Sequence, residues 1–274
     1  KEKGLARKKD YNFEEIKELE APTKNLVEQI KEAIDKGKYD AIIGDDASGR
    51  IPTLVFRKII EARIHKLHPD LTPEEQRDAL KTYFVSGSAA TKWNSDFPDR
   101  KEEMDQSNAD MLKYFKSIKS QIKNRALLIT EYINTGGVIT GLTEALKKAG
   151  IPFDVAAAVV TGSERYRDKV DKNISSKGGH LFIGKRDYPP DIYGQSNLSG
   201  VDKKFDYYKK GQPYKMNIHT EPLLKEVKEI REGHREGFND KSIDLKKLSK
   251  DIEMAREDAA LMSEKILKTV WGEK

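Results

Sequence analysis

The chain has 274 residues, of which 36% are hydrophobic and 35% are charged, and its formal net charge is +5. This length is sufficient for one large domain, or a domain with an appendage, whose apolar core needs no covalent cross-links. The absence of cysteine excludes a disulfide framework, a thiolate zinc site, an iron–sulfur cluster and a cysteine nucleophile.

Every apolar run is too short to cross a bilayer, and no signal peptide is recognisable, so we expect a cytoplasmic protein without membrane contact. Positive charge is concentrated in residues 165–215, which contain 12 Lys and Arg against 6 Asp and Glu. A solvated basic face is sufficient to explain this excess, and a phosphate-rich ligand would also suit it. The sequence contains no recognition helix or RNA-binding motif, which disfavours binding to nucleic acid.

The first part of the chain predicts a strand–loop–helix unit after a polar N-terminal region. Residues 1–36 have a helical pattern, with Thr23 as the expected N-cap of the helix. A short β-branched run at 38–44 ends in glycine and predicts a buried strand. The apolar spacing over 51–65 then predicts a helix.

A second strand is predicted at 82–85, after a short polar helix. The next segment, 86–110, is rich in small and polar residues and is predicted to be a loop. A loop of this length inside a domain is typical of a functional flap. A helix is expected over 111–122.

The clearest core strand is predicted at 126–129, followed by a helix over 138–149 that ends at Gly150. Further strands are expected at 155–160 and 181–183. The repeated strand–helix–strand order predicts an α/β fold, with a mostly parallel sheet, right-handed crossovers and helices on both faces.

The C-terminal region has the apolar spacing of a heptad seam, which predicts a helix packed on its own domain or on a second subunit. We therefore expect a homo-oligomer or a partner bound through this helix. The expected division is a main domain over 1–215, with a small hood from 1–36 and 181–215, and a helical extension over 216–274. The seam residues are Leu245, Leu248, Ile252, Ala255, Ala259, Met262 and Ile266.

Two loops that follow predicted strands have the composition of anion sites. The first, residues 44–50, has glycines that permit a sharp turn, backbone N–H groups that can form a nest, and Arg50 as a bidentate phosphate partner. Taken alone, it is better explained as an ordinary strand–helix turn capped by Asp or Ser. In the second, residues 130–138, Glu131 precedes a Thr-Gly-Gly sequence that opens a helix, and such an N-terminus binds phosphate. Ligands of open α/β sheets bind outside the carboxyl ends of strands, so we expect both loops to face one crevice.

The sequence ALLITEYINTGGVITGLTEALKKAG resembles the phosphoribosyl-pyrophosphate (PRPP) signature of type I phosphoribosyltransferases. The resemblance covers about residues 36–195 and implies a phosphoribosyltransferase-like fold. It implies that Glu131 is the second of two acids that hold the ribose hydroxyls, with Mg²⁺, while Thr130 stands at the position of the first acid. It further implies that a nucleobase or related acceptor receives the phosphoribosyl group. The implied phosphate loop consists of Asn134, Thr135, Gly136, Gly137 and Val138.

The resemblance assigns the upstream loop to pyrophosphate and places part of the base site after the last core strand. Lys92, in the long loop, is the candidate to reach pyrophosphate when that loop closes, and solvent exposure is the competing explanation for this side chain. The base-site candidates are Lys185, Tyr188 and Tyr193, and simple packing is the competing explanation for each tyrosine. The implied pyrophosphate loop contains Asp45, Asp46, Ala47, Ser48, Gly49 and Arg50.

Because Thr130 stands where the family has an acid, two functions remain open. One is a divergent phosphoribosyltransferase, and the other is a PRPP- or nucleotide-binding regulator or effector subunit without turnover. If the geometry of the family persists, Thr130→Asp is expected to raise PRPP affinity or turnover, with Thr130 and Glu131 facing the same crevice.

Overall fold

The core is a five-stranded sheet in which every neighbouring pair of strands is parallel. Its strands are β1 Ala41–Asp45, β2 Lys81–Val85, β3 Ala126–Ile133, β4 Phe153–Val160 and β5 Leu181–Lys185, in the spatial order β2-β1-β3-β4-β5. Two short strands, β6 Val201–Asp202 and β7 Glu221–Pro222, form a separate antiparallel pair. The computed structural model describes residues 10–45, 49–87, 101–162, 164–188, 196–202, 221–222 and 244–272.

Helices cover both faces of the sheet, which confirms the predicted α/β class. Both β1 and β4 are buried along their whole length, as expected for parallel strands enclosed between helical layers. A 3₁₀ turn, Lys119–Gln121, precedes β3. The helices are α1 Glu14–Glu18, α2 Glu20–Asp35, α3 Arg50–Leu67, α4 Pro73–Ala79, α5 Lys101–Ile118, α6 Gly137–Ala149, α7 Glu164–Ser175, α8 Ser196–Ser199 and α9 Leu245–Trp271. None of the described helices is both long and apolar enough to span a bilayer.

The apolar core has one part on each face of the sheet. On the first face, side chains of α1, α2, α3 and α9 pack over Leu127 and Ile129 of β3. On the second face, α5, α6 and α7 pack over Ala126 and Leu128 of the same strand. The alternation of successive β3 side chains between the two parts explains why β3 is apolar along most of its length.

The N-terminal region belongs to the first helical layer. Helix α2 begins at Glu20 with Leu19 as its N-cap, so Thr23 lies inside the helix and is fully buried, not at its start as predicted. Residues 14–35 pack against β4, β5 and α3, and they therefore form part of the layer over the sheet. Most of the second segment expected in the hood, 181–215, lies outside the described residues after Tyr188.

Two elements of the main domain are longer than the sequence predicts. The predicted loop 86–110 includes the first half of α5, which begins at Lys101, while 88–100 lie outside the described residues. Strand β3 extends to Ile133, so Thr130 and Glu131 lie within the strand and do not follow it. The backbone of Thr130 and Glu131, two of the candidate site residues, is therefore part of the sheet.

Helix α9 uses its predicted seam within its own chain. It packs mainly against α3 and also contacts α1, α2 and α8. The seam residues Ala255, Ala259, Met262 and Ile266 are buried in the core of the first face, so this seam is occupied by the chain itself. Association with another chain stays a prediction and would need a different surface.

Polar contacts attach α9 to the N-terminal region. Asp258, which is buried, accepts hydrogen bonds from the backbone N–H groups of Asn12 and Phe13 at 2.9 Å. Trp271 donates from Nε1 to the Asp35 carboxylate at 3.0 Å, at the end of α2. Helix α9 therefore holds the first and second helices in place as well as completing the core.

A buried carboxylate near the amino ends of the strands should make folding pH-dependent. Asp154 of β4 accepts hydrogen bonds from the Tyr39 hydroxyl at 2.9 Å and from Arg125 at 2.8 Å, and it forms an ion pair with Lys38 at 2.8 Å. Burial raises the pKa of Asp154, but these hydrogen bonds and neighbouring charges outweigh it and hold the pKa below its ordinary value of 3.8.

We expect Asp154→Asn to lower the free energy of unfolding by roughly 3 kcal/mol near pH 7, because a buried charged acceptor is lost. A lowered pKa contributes stability that is complete above the unfolded-state pKa and is lost as pH falls through the folded-state pKa. Urea unfolding across pH should therefore show the difference between the two proteins shrinking below about pH 4. A difference that stays constant into acid would contradict the assignment.

Candidate functional site

The carboxyl ends of the strands bring together the two loops that the sequence singles out. Gly44 of β1 pairs with Ile129 of β3, and this register places Asp45 beside Thr130. Asp45 also pairs with Val85 on the other side, at the end of β2. The ends of three adjacent strands thus meet at one level of the sheet, where ligands of open α/β sheets bind.

Asp45 lies at the centre of this edge. Its Oδ2 accepts a hydrogen bond from the Thr130 hydroxyl at 3.2 Å, and its Oδ1 accepts one from the Gly87 N–H at 3.0 Å. Asp45 as a whole is 7% exposed, whereas Thr130 is fully buried. A Cβ at Gly87 would overlap both the Asp45 carboxylate and the side chain of Val138, which lies in the first turn of the adjoining helix α6. The ends of β1, β2 and β3 and the start of α6 therefore converge on one carboxylate.

Glu131 supplies a second carboxylate at the same edge. It follows Thr130 in β3, and none of its surface is exposed. The regular alternation of β3 side chains does not continue to the end of the strand, because Tyr132 packs with the core that contains Leu127 and Ile129. Burial strengthens the electrostatic effect of both carboxylates, since the surrounding dielectric constant is low.

The predicted phosphate loop has the backbone geometry of a helix opening. Gly136 is the N-cap of α6 and has a φ of 79°, a left-handed conformation that favours glycine. The first N–H groups of a helix have no partner within it, so the start of α6 presents donors toward the loop. Asn134 and Thr135 are exposed, and the Asn134 side chain accepts a hydrogen bond from the Thr161 hydroxyl at 3.2 Å. Gly137 and Val138 are half-buried.

The upstream loop closes tightly at its second glycine. The Gly49 N–H donates to the Asp45 carbonyl oxygen at 2.6 Å, and α3 begins at the next residue. A Cβ on Gly49 would lie 2.6 Å from that oxygen and 2.7 Å from the Ile129 carbonyl oxygen, so no larger residue fits. The Arg50 guanidinium lies 3.7 Å over the Phe84 ring. Asp46, Ala47 and Ser48 lie outside the described residues.

The base-site candidates are separated from the phosphate loop. Lys185 ends the edge strand β5, which β4 separates from β3, and it forms an ion pair with Asp187 that lowers the pKa of that carboxyl group. Tyr188 is 87% exposed. Tyr193 and Lys92 lie outside the described residues.

An exposed aromatic residue that sequence reasoning missed lies nearer the phosphate loop. Tyr166, in the first turn of α7, is 51% exposed. A Cβ placed on Gly162 would contact both Tyr166 and the Asn134 carbonyl oxygen, which locates Tyr166 beside that loop. The four-residue spacing of Val170 and Ile174, the buried residues of α7, is the signal that could have predicted this helix.

The carboxylates at this edge suit Mg²⁺, although they form no dedicated cage. Within the described ranges, no group of three or more His, Cys, Asp or Glu side chains is arranged to hold a metal ion. Mg²⁺ prefers oxygen ligands and is commonly held by one or two carboxylates together with substrate phosphates. Asp45 and Glu131 are carboxylates of the required type, one at the end of β1 and the other in the adjacent strand β3.

Comparison with known proteins gives no independent indication of function. No family model, curated protein or solved structure matches this chain.

Proposed function

We propose that this protein binds PRPP with Mg²⁺ at the carboxyl edge of its sheet and transfers the phosphoribosyl group to a nucleobase or related acceptor. The observation that carries the proposal is the convergence of two glycine-opened helix starts on the buried Asp45, with the buried Glu131 in the adjacent strand. Gly136 opens α6 and Gly49 precedes α3, while Asp45 ends β1 and Glu131 lies in the adjacent strand β3. A sugar that carries phosphate at one end and pyrophosphate at the other matches two anion loops with hydroxyl acceptors between them.

The loops would divide the anionic groups of the ligand between them. The N–H groups at the start of α6 would bind the 5′-phosphate, supported by the favourable charge of a helix N-terminus. The turn before α3 would bind pyrophosphate through its backbone. A bound Mg²⁺, held by Asp45 and Glu131, would neutralise the charge of the pyrophosphate.

The transfer requires no covalent nucleophile from the protein. The C1–O bond to pyrophosphate breaks with its electron pair leaving on pyrophosphate, and the acceptor nitrogen forms the C1–N bond and releases its proton. Preorganised donors in a site with little water favour such a transition state, because they stabilise charge that develops on the leaving group. The protein residues therefore act by binding and orienting the two reactants.

A PRPP- or nucleotide-binding regulator is the second candidate. It is favoured by the complete burial of Glu131 and by the threonine at position 130, where the resemblance implies an acid. Incubation with PRPP, Mg²⁺ and a panel of bases distinguishes the two candidates. Release of pyrophosphate that depends on a base supports the enzyme, whereas PRPP binding without release supports the regulator. Absence of binding of both PRPP and nucleoside monophosphates in calorimetry would refute both.

Glu131→Gln is expected to weaken Mg²⁺-dependent PRPP binding by roughly 10- to 100-fold, because the loss of one charged hydrogen bond costs about 1.5–3 kcal/mol. Isothermal calorimetry measures the effect. Asp154→Asn is the matched control, since it makes the same acid-to-amide change in a buried strand residue near the amino edge. That control should lose stability but retain affinity. Equal affinity in Glu131→Gln and the unmodified protein would remove Glu131 from the site.

A further inference from the structure

The threonine at position 130 has a carboxylate beside it that comes from the neighbouring strand. The Thr130 hydroxyl donates to Asp45 Oδ2 at 3.2 Å, and both residues lie in the same row of the sheet. The sequence alone suggests that one acid is missing from the PRPP motif. In three dimensions, the carboxylate lies one strand away from the expected position.

We propose that Asp45 of β1 replaces the first acid of the motif, contacting the ribose hydroxyls or the cation of the ligand, and that Thr130 is a positioning residue for it. The proposal rests on the proposed function, because it assigns a carboxylate to the PRPP site. It changes the assignment of Asp45, which the sequence places only in the pyrophosphate loop.

Two hydrogen bonds fix the orientation of the Asp45 side chain. Its Oδ2 accepts a hydrogen bond from the Thr130 hydroxyl and its Oδ1 accepts one from the Gly87 N–H. A carboxylate has about four lone-pair sites, so these two hydrogen bonds do not by themselves saturate it. Gly87 has no side chain that would cover the carboxylate, whereas a Cβ there would overlap it.

Exposure agrees with this division of roles. Asp45 is 7% exposed and Thr130 is fully buried, so of the two residues only Asp45 reaches the surface. A threonine at position 130 donates a hydrogen bond to Asp45, whereas an aspartate there would place a second negative charge against it. Two carboxylates in such contact disfavour each other's ionisation. Thr130 and Asp45 therefore form a compatible pair.

An exchange of the two residues tests the proposal in the full chain. Calorimetry would measure PRPP affinity in Mg²⁺ for the unmodified protein, Asp45→Asn, Thr130→Asp and the double variant Asp45→Thr/Thr130→Asp. Thermal unfolding would be measured in parallel. We expect Asp45→Asn to weaken binding by about 10- to 100-fold. Thr130→Asp alone should also weaken binding, and the exchange should restore affinity to within about threefold, because it returns one carboxylate and one hydroxyl to the pair.

The outcomes separate this proposal from the proposed function. If the unmodified protein binds no PRPP, the proposed function and the role of Asp45 are both refuted. If it binds PRPP and a folded Asp45→Asn binds equally well, only the role of Asp45 is refuted. An exchange variant as weak as Asp45→Asn, or a gain in affinity in Thr130→Asp alone, would also overturn the replacement. Thr130→Val should reduce binding less than Asp45→Asn, since the charge remains and only its orientation is lost.

Discussion

Gly49→Ala is expected to abolish PRPP binding and to lower the free energy of unfolding by about 3 kcal/mol, the upper part of the range for overpacking. The added methyl group would lie 2.6 Å from the Asp45 carbonyl oxygen and 2.7 Å from that of Ile129. Both neighbours are backbone atoms of central strands, so neither can move without disturbing the sheet. The turn that would receive pyrophosphate therefore cannot close around alanine. Calorimetry with PRPP and urea unfolding measure the two effects.

Gly179→Ala separates loss of stability from loss of binding. A Cβ on Gly179 would lie 2.6 Å from the Phe153 ring, so this position is also crowded. It precedes β5 at the amino end of that strand, away from the candidate site. We expect lower stability with unchanged PRPP affinity. If Gly49→Ala retained its affinity, the turn would not be part of the ligand site.

The second large effect is expected at Gly136, where alanine should remove the 5′-phosphate site. Its φ of 79° disfavours a side chain, and a Cβ would overlap the Val170 side chain of α7. The combined strain should cost roughly 2–3 kcal/mol of stability and move the start of α6 away from the phosphate. We expect PRPP affinity to fall at least tenfold, because several N–H donors share this backbone.

Two further variants identify the cause at Gly136. Gly178→Ala is the matched control, since Gly178 has a φ of 82° but nothing within 4 Å of an added Cβ. It should show the conformational cost, about 1 kcal/mol, without any change in binding. Val170→Ala in the Gly136→Ala background should recover part of the affinity by removing the overlap. Undiminished affinity in Gly136→Ala would place the phosphate elsewhere.

The fold was predictable where apolar runs are long and local. The buried runs of β1 and β4 and the helix that ends at Gly150 are visible in the sequence because each is specified by neighbouring residues. The first half of α5 is not predicted because the buried apolar residues described for this helix, Met111, Phe115 and Ile118, lie in its second half. Helix α7 was missed for a similar reason, since it buries only two of its twelve residues.

The candidate site was predictable in its loops but not in its contacts. A Gly-Gly sequence before a helix is a local signal, and the structure gives Gly136 the left-handed conformation that such an opening requires. The contact between Asp45 and Thr130 depends on the register of two strands that are distant in sequence, which no local pattern specifies. The sequence therefore predicts that Thr130→Asp improves binding, whereas the position of Asp45 reverses that expected sign.

The packing of α9 has a consequence for folding during synthesis. All five strands of the sheet precede α9 in the chain, and they leave the ribosome before it does. Until α9 is made, the surface of α3 that receives Ala259, Met262 and Ile266 has no cover from that helix. Nascent chains should therefore expose this apolar surface to chaperones and to one another for a defined interval. Slow translation between β5 and α9 would lengthen that interval and favour aggregation.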